Sequence, residues 1–449
     1  MTDRTPTPIC DFVRAYREKD PVRFHMPGHK GKPLLGLEPY DITEVDGADA
    51  LFEADGIIAE SEKNAGKHFG CETFYSTEGS SLCIRAMLYL ASLRVPKGKR
   101  AKILAARNVH RTYLSAAALL DLDTEWIFPE SGTEMLSSDF TPERAEAVLS
   151  KAKEPFAAVY VTSPDYLGHM LDIAGISAVC RRYKVPLLVD NAHGAYLRFL
   201  FPSRHPIDLG ADLVCDSAHK TLPALTGAAY LHIGREDTYG FASGAKNAMA
   251  LFGSTSPSYL ILESLDLVNR ELDFYGETLK EMVRKTEDLK QSLLLSGYTF
   301  SGEEPLKLTV LTGMKGYTGY EVSQYLSQKG ITAEFADREH IVFMIAPAVM
   351  DSLDALRNAL TELPEKDPLP IRRELCMIPK TDCSIREAML SPGEWLPTER
   401  CAGRVLAAPC VSCPPAVPVL MCGEIINEEA IGRFLSYGAE RLYVVRIRG

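Results

Sequence analysis

Residues 211–233 read Ala-Asp-Leu-Val-Cys-Asp-Ser-Ala-His-Lys-Thr-Leu-Pro-Ala-Leu-Thr-Gly-Ala-Ala-Tyr-Leu-His-Ile, two short apolar runs joined by a connection that Pro223 and Gly227 punctuate. Apolar runs of this length bounded by turn residues read as buried strands. Lys220 then falls on a loop at the carboxyl end of a strand, where α/β proteins collect ligand-binding side chains. A lysine is by default a solvated surface residue. One flanked by Ser217 and His219 at a strand end also suits imine chemistry, and its companions elsewhere in the chain decide between the two readings.

Outward from this stretch, strands are predicted at Lys102–Ala106, Phe156–Thr162, Pro186–Asp190, Asp212–Asp216 and Gly227–Ile233, with helical spacing at Ser80–Leu93, Thr112–Leu120 and Ile173–Tyr183. The alternation predicts an α/β domain with a mainly parallel sheet covered by helices on both faces. Residues 1–45 are rich in Pro, Gly and His without clear periodicity and read as an arm lying on the body. Residues 255–293 read as a long helical bridge to a smaller α/β unit that ends near Leu363, where a Pro/Lys-rich junction precedes a C-terminal module. The expected division is therefore 1–45, 46–254, 255–363 and 364–449.

The formal charge of -11 argues against nucleic acid as a partner and mildly favours cationic substrates. The opening residues lack the apolar core of a secretory signal, and no apolar run is long enough to span a bilayer, so a cytoplasmic protein with no membrane partner is expected. The 11 cysteines are scattered and odd in number, which reads as reduced thiols. Cys410 and Cys413 stand between single cysteines, Cys401 and Cys422, rather than in two tight pairs, so inert thiols are expected and no metal.

Other chemical groups fall at predicted strand ends. Asp190 closes an apolar strand. It is a turn or cap residue by default, or the anion that keeps a pyridine-type ring nitrogen protonated. His110 follows the strand ending at Ala106 and lies beside the same edge. Residues 75–81, Tyr-Ser-Thr-Glu-Gly-Ser-Ser, precede an apolar helix, where a serine can simply cap or where backbone N–H groups and hydroxyls can seat an anion. For the second reading Gly79 allows close approach, and Glu78 must turn away.

Several segments together resemble the Orn/Lys/Arg decarboxylases, in their short bacterial form. They are Phe24–Gly31, Thr43–Phe52, Val161–Tyr166, Asp190–Gly194, Ser217–Lys220, Ser254–Tyr259, and Pro414–Leu420 with Gly423-Glu424, in the family's order. The resemblance implies a fold type I, aspartate-aminotransferase-like large domain that binds pyridoxal 5'-phosphate (PLP), a smaller α/β domain and a C-terminal decarboxylase module. It implies that Lys220 holds the cofactor, Asp190 pairs with the pyridinium nitrogen, His110 stacks on the ring and His193 lies at the cofactor. Gly79, Ser80, Ser81, Ser217 and His219 are implied to contact the phosphate, and Thr255 the phosphate of a neighbouring subunit.

The reaction so implied is decarboxylation of lysine, arginine or ornithine in polyamine biosynthesis, with His219 or Lys220 returning the proton to carbon. A homodimer or larger assembly is expected, with active sites at the subunit boundary. The substrate's distal cation needs an opposing carboxylate. Asp46, Asp49, Glu399 and Glu424 are the candidates, each a solvated charge or helix cap by default, with Glu424 first because it matches the family's Gly-Glu pair. Transamination or a lyase step on the same scaffold, and a regulatory protein that binds cofactor without turnover, remain as alternatives.

Overall fold

The computed structural model describes residues 4–129, 136–370, 378–410 and 416–446. Seven strands form the main sheet: β1 (Thr73–Ser76), β2 (Lys102–Ala106), β3 (Asp123–Ile127), β4 (Ala158–Thr162), β5 (Leu187–Asp190), β6 (Leu213–Asp216) and β7 (Ala229–Ile233). Their spatial order is β1-β7-β6-β5-β4-β2-β3. All five strands predicted from apolar runs are present. The two the prediction missed, β1 and β3, are the edge strands, and β3 mixes Asp123, Thr124 and Glu125 with Trp126 and Ile127 because one flank has no neighbour.

The chain divides into two units, residues 1–94 with 173–277, and residues 95–172 with 278–449. In the first, β5 and β6 are parallel and buried along their whole length, as continuous apolar runs covered on both faces must be. Strand β7 runs antiparallel to both β6 and β1. The reason lies in the connection after Asp216, which holds one turn of helix, Ala218–Thr221, and no crossover helix able to carry the chain back across the sheet. The Ile173–Tyr183 helix buries Ile173, Ile176, Val179 and Cys180 at helical spacing and ends with Arg181 and Arg182 against its negative pole.

The N-terminal segment corrects an expectation. Residues Pro8–Glu18 form a helix that buries Ile9 and Val13 and donates the Cys10 N–H to Asp266 Oδ2 at 3.0 Å. Only the residues beyond it have the irregular character of an arm. The single helical stretch expected at 255–293 is two helices, Tyr259–Leu272 and Tyr275–Leu295.

In the second unit, β2 pairs in parallel with β3 and β4. A four-stranded antiparallel sheet follows, formed by β8 (Thr299–Ser301), β9 (Lys307–Leu311), β10 (Phe335–Ala336) and β11 (His340–Met344) in the order β10-β11-β9-β8. Strands β12 (Gly393–Pro397) and β13 (Arg441–Val445) pair antiparallel, beside a core of Cys401, Leu406, Leu420, Ile426, Phe434 and Val444. Among the described residues no helix is long and apolar enough to cross a membrane.

Gly227 links the β6–β7 connection to β1. It has φ +98°, its carbonyl accepts the Gly79 N–H at 2.7 Å, and a Cβ there would lie 2.9 Å from the Thr77 carbonyl oxygen. We predict that Gly227→Ala costs about 1–3 kcal/mol of stability. Urea unfolding measures this; an unchanged midpoint would show that the close approach is relaxed in solution.

Candidate active site

Strand β6 ends at Asp216, and the next residues wind into the turn Ala218–Thr221. Lys220 therefore stands on a helical turn rather than on the loop expected from sequence, with its N–H donated to the Ser217 carbonyl at 3.0 Å. Its Nζ lies 3.1 Å from His193 Nε2. His219 turns its ring the other way. Its backbone N–H and Nδ1 both reach the Ala228 carbonyl, at 3.2 and 2.9 Å, so Nδ1 carries the proton and Nε2 keeps a lone pair. Burial is the main cause that lowers its pKa and keeps it neutral.

Strand β5 ends at Asp190, which is 2% exposed. Its Oδ1 accepts the Ala192 N–H at 3.2 Å and the Cys215 thiol at 3.6 Å, and burial is the main cause that pushes that thiol's pKa far up. At the end of β1, Gly79 opens the Gly79–Ser92 helix with φ +70°, and a Cβ there would meet nothing within 4 Å. Ser217 donates its hydroxyl to Ser80 Oγ at 2.9 Å, which brings two of the expected phosphate contacts together at that helix start. Ser81 follows, half-buried. Glu78 does turn away, its Oε1 accepting the Ser254 N–H at 2.5 Å. Thr255, next in the chain, is exposed. An amine, a buried carboxylate and an open helix start with hydroxyls are the groups a phosphorylated pyridine aldehyde requires, so this donor set fits PLP.

Beneath these groups lies a cluster that the sequence reading did not single out. Asp216 Oδ2 meets His205 Nε2 at 2.9 Å and His232 Nε2 at 3.1 Å, while Oδ1 accepts the Asn191 side-chain amide at 2.6 Å. Asp216 and both imidazoles have no exposed surface. Burial alone would raise the Asp216 pKa, but the two imidazoles outweigh it and hold the carboxyl well below the usual range. For His232 burial works downward, and the attraction of Asp216 reverses it to a net rise. Among the described residues this is the one group of three with metal-ligand spacing. Its hydrogen bonds oppose that use: His205 Nδ1 accepts the Ile207 N–H, which places the ring proton on Nε2, facing the carboxylate. Asp216 closes a strand as Asp190 does, and His232 interrupts an apolar strand; those were the available signals.

The second unit holds His110, which caps the Arg111–Leu120 helix by accepting the Thr112 N–H at Nδ1. It also holds Glu424, and here an expectation is corrected. Glu424 is engaged on both oxygens by Arg107, at 2.6 and 2.9 Å, and accepts the Met421 N–H as well. A carboxylate bound to a cation of its own chain is not free for a substrate's cation. Asp49 is likewise occupied, its Oδ2 accepting the Gly56 and Ile58 N–H groups at the start of the Ile57–Phe69 helix. Asp46 and Glu399 are exposed. Cys401 donates to the Pro397 carbonyl and Cys410 accepts the Tyr443 N–H; Cys413 lies outside the described residues.

The description "Orn/Lys/Arg decarboxylase, major domain" belongs to the family profile that matches residues 7–301. An arginine decarboxylase of Bacillus subtilis is 28% identical over 463 residues, covering 95% of this chain and 92% of that protein. One of Halalkalibacterium halodurans is 29% identical over 465 residues with the same coverage of 95% and 92%. Among solved structures, the lysine decarboxylase LdcF of Francisella novicida superposes with a TM-score of 0.78 at 16% identity, covering 98% of this chain and 81% of that one. The fold is accordingly that of the fold type I PLP enzymes.

The Arg107–Glu424 pair generates a prediction. Arg107 is 11% and Glu424 3% exposed at the side chain, so Glu424→Gln leaves a buried guanidinium without its counter-charge. The expected cost is about 3–5 kcal/mol, read by urea unfolding. A midpoint equal to wild type would mean that water reaches the pair.

Proposed function

The chain belongs to the Orn/Lys/Arg decarboxylase family, and from that premise we propose that it releases carbon dioxide from a basic amino acid with PLP as cofactor. Arginine is the first substrate to test, because relatives of matching length carry the name arginine decarboxylase. The observation that carries the reading is the placement of Lys220 Nζ against His193 Nε2, on the turn that also bears Ser217, with Asp190 buried at the end of the strand beside it.

When bound, PLP supplies a sink for the electron pair left on Cα as carbon dioxide departs. Lys220 would hold it through Nζ. His193 Nε2 offers the Lys220 ammonium an acceptor through which a proton can leave, so that a nucleophilic amine forms. Asp190 supplies the buried anion that would keep the ring nitrogen protonated. The Gly79 helix start with Ser80, Ser81 and Ser217 would take the phosphate, and His110, His219 and Thr255 keep the roles the resemblance implies. Lys220 is the group proposed to return a proton to carbon, since neutral His219 donates its Nδ1 proton to the Ala228 carbonyl and has none to give at Nε2.

Assembly completes the proposal. Val22, Phe24, Leu34 and Leu35 are 82–94% exposed, and a second copy of the chain would cover them. The active form is then a homodimer or a larger symmetric assembly.

Lys220→Ala should abolish both the cofactor absorbance band and turnover while the melting temperature stays near wild type; a retained band would mean that another lysine holds PLP. Asp190→Asn should keep the cofactor and lose activity about 100-fold or more, followed as carbon dioxide released rather than keto acid formed. Near-normal turnover would remove Asp190 from its role. Deleting residues 1–40 should weaken assembly and activity together, and sedimentation of an active wild-type monomer would contradict the assembly.

A further inference from the structure

The buried cluster around Asp216 has no part in the roles above, yet it joins the two strand ends that carry them. We infer that Asp216 is a positioning residue that sets the separation of Asp190 from Lys220 by gripping Asn191 on one side and continuing into the Ser217–Lys220 turn on the other. The inference rests on the function proposed above.

Asn191 follows Asp190 directly. Its side chain donates to Asp216 Oδ1 at 2.6 Å, and its backbone N–H donates to the Cys215 carbonyl at 3.0 Å, so the residue after the ring-nitrogen acid is fastened twice to the end of β6. The loop closes over this amide. A Cβ at Gly194 would lie 2.1 Å from Asn191 Oδ1, so glycine is what lets the amide point inward, and His193, one residue earlier, is thereby presented to Lys220 Nζ.

The gripping carboxylate is itself held. His205 and His232 donate to its other oxygen, and the Phe69 ring packs 4.4 Å from the His232 ring, which leaves the carboxylate one orientation. An apolar trio would fill this space without the desolvation cost of a buried charge. What the charged trio adds is a fixed hydrogen-bond geometry, and a reactive site needs its groups held to about 0.5 Å.

The test is a double-mutant cycle on PLP affinity, read by absorbance titration of the apoprotein, with Asp216→Asn, Asn191→Ala and the double variant. Because both single changes break one link, each should raise the PLP Kd about tenfold and the double variant also about tenfold. The melting temperature of Asn191→Ala should stay near wild type, and its kcat should fall with KM unchanged. A Kd equal to wild type for Asn191→Ala, or a hundredfold rise in the double variant, overturns the inference. Should Asp216→Asn fail to fold, Asn191→Ala alone decides by the same criterion. If wild type takes up no PLP, the proposed function falls and this inference with it; if wild type takes it up and Asn191→Ala binds equally well, only the positioning role falls.

Discussion

A carboxylate removed from water must be compensated where it stands, and the way Asp216 is compensated organises the sheet edge around it. Three donors, from His205, His232 and Asn191, converge on its two oxygens. They come from two parts of the first unit: the segment after β5, which supplies Asn191 at its start and His205 further on, and strand β7, which supplies His232. Satisfying one buried charge thus ties together the strand ends that bear Asp190 and lead into the Lys220 turn, the groups proposed to react. The antiparallel return of β7 is part of the same arrangement, since it brings His232 alongside Val214, two residues before the carboxylate.

Charge compensation also explains where the other buried acids went. Glu424 answers Arg107, whose guanidinium lies 4.8 Å from the centre of the Phe128 ring. Asp49 answers the unpaired N–H groups at a helix start. Both are internal uses of charge that hold the fold. At the Gly79 helix start, proposed to take the cofactor's phosphate, an added Cβ would meet nothing within 4 Å, and Glu78, an awkward charge beside it, is drawn off to the Ser254 backbone.

Much of this was legible in the sequence because it depends on local rules. Five strands followed from apolar runs bounded by turn residues, and the need for Glu78 to turn away followed from electrostatics alone. The edge strands β1 and β3 escaped because a strand with one free flank tolerates polar residues and loses its apolar signature. The helix at Pro8–Glu18 escaped because its buried face is only Ile9, Cys10 and Val13, a short stripe among charged residues. The Asp216 cluster and the Arg107–Glu424 pair were invisible for a different reason. Their partners are 11 to 317 residues apart in sequence, and no spacing rule reports a contact made only by the tertiary fold.

Lys220 is the residue proposed to carry the cofactor. The most direct measurement is borohydride reduction of the protein incubated with PLP, followed by peptide mapping for the lysine that bears the reduced pyridoxyl group. A single modified site at Lys220 is the predicted result. Modification at a different lysine, or none at all, would contradict it.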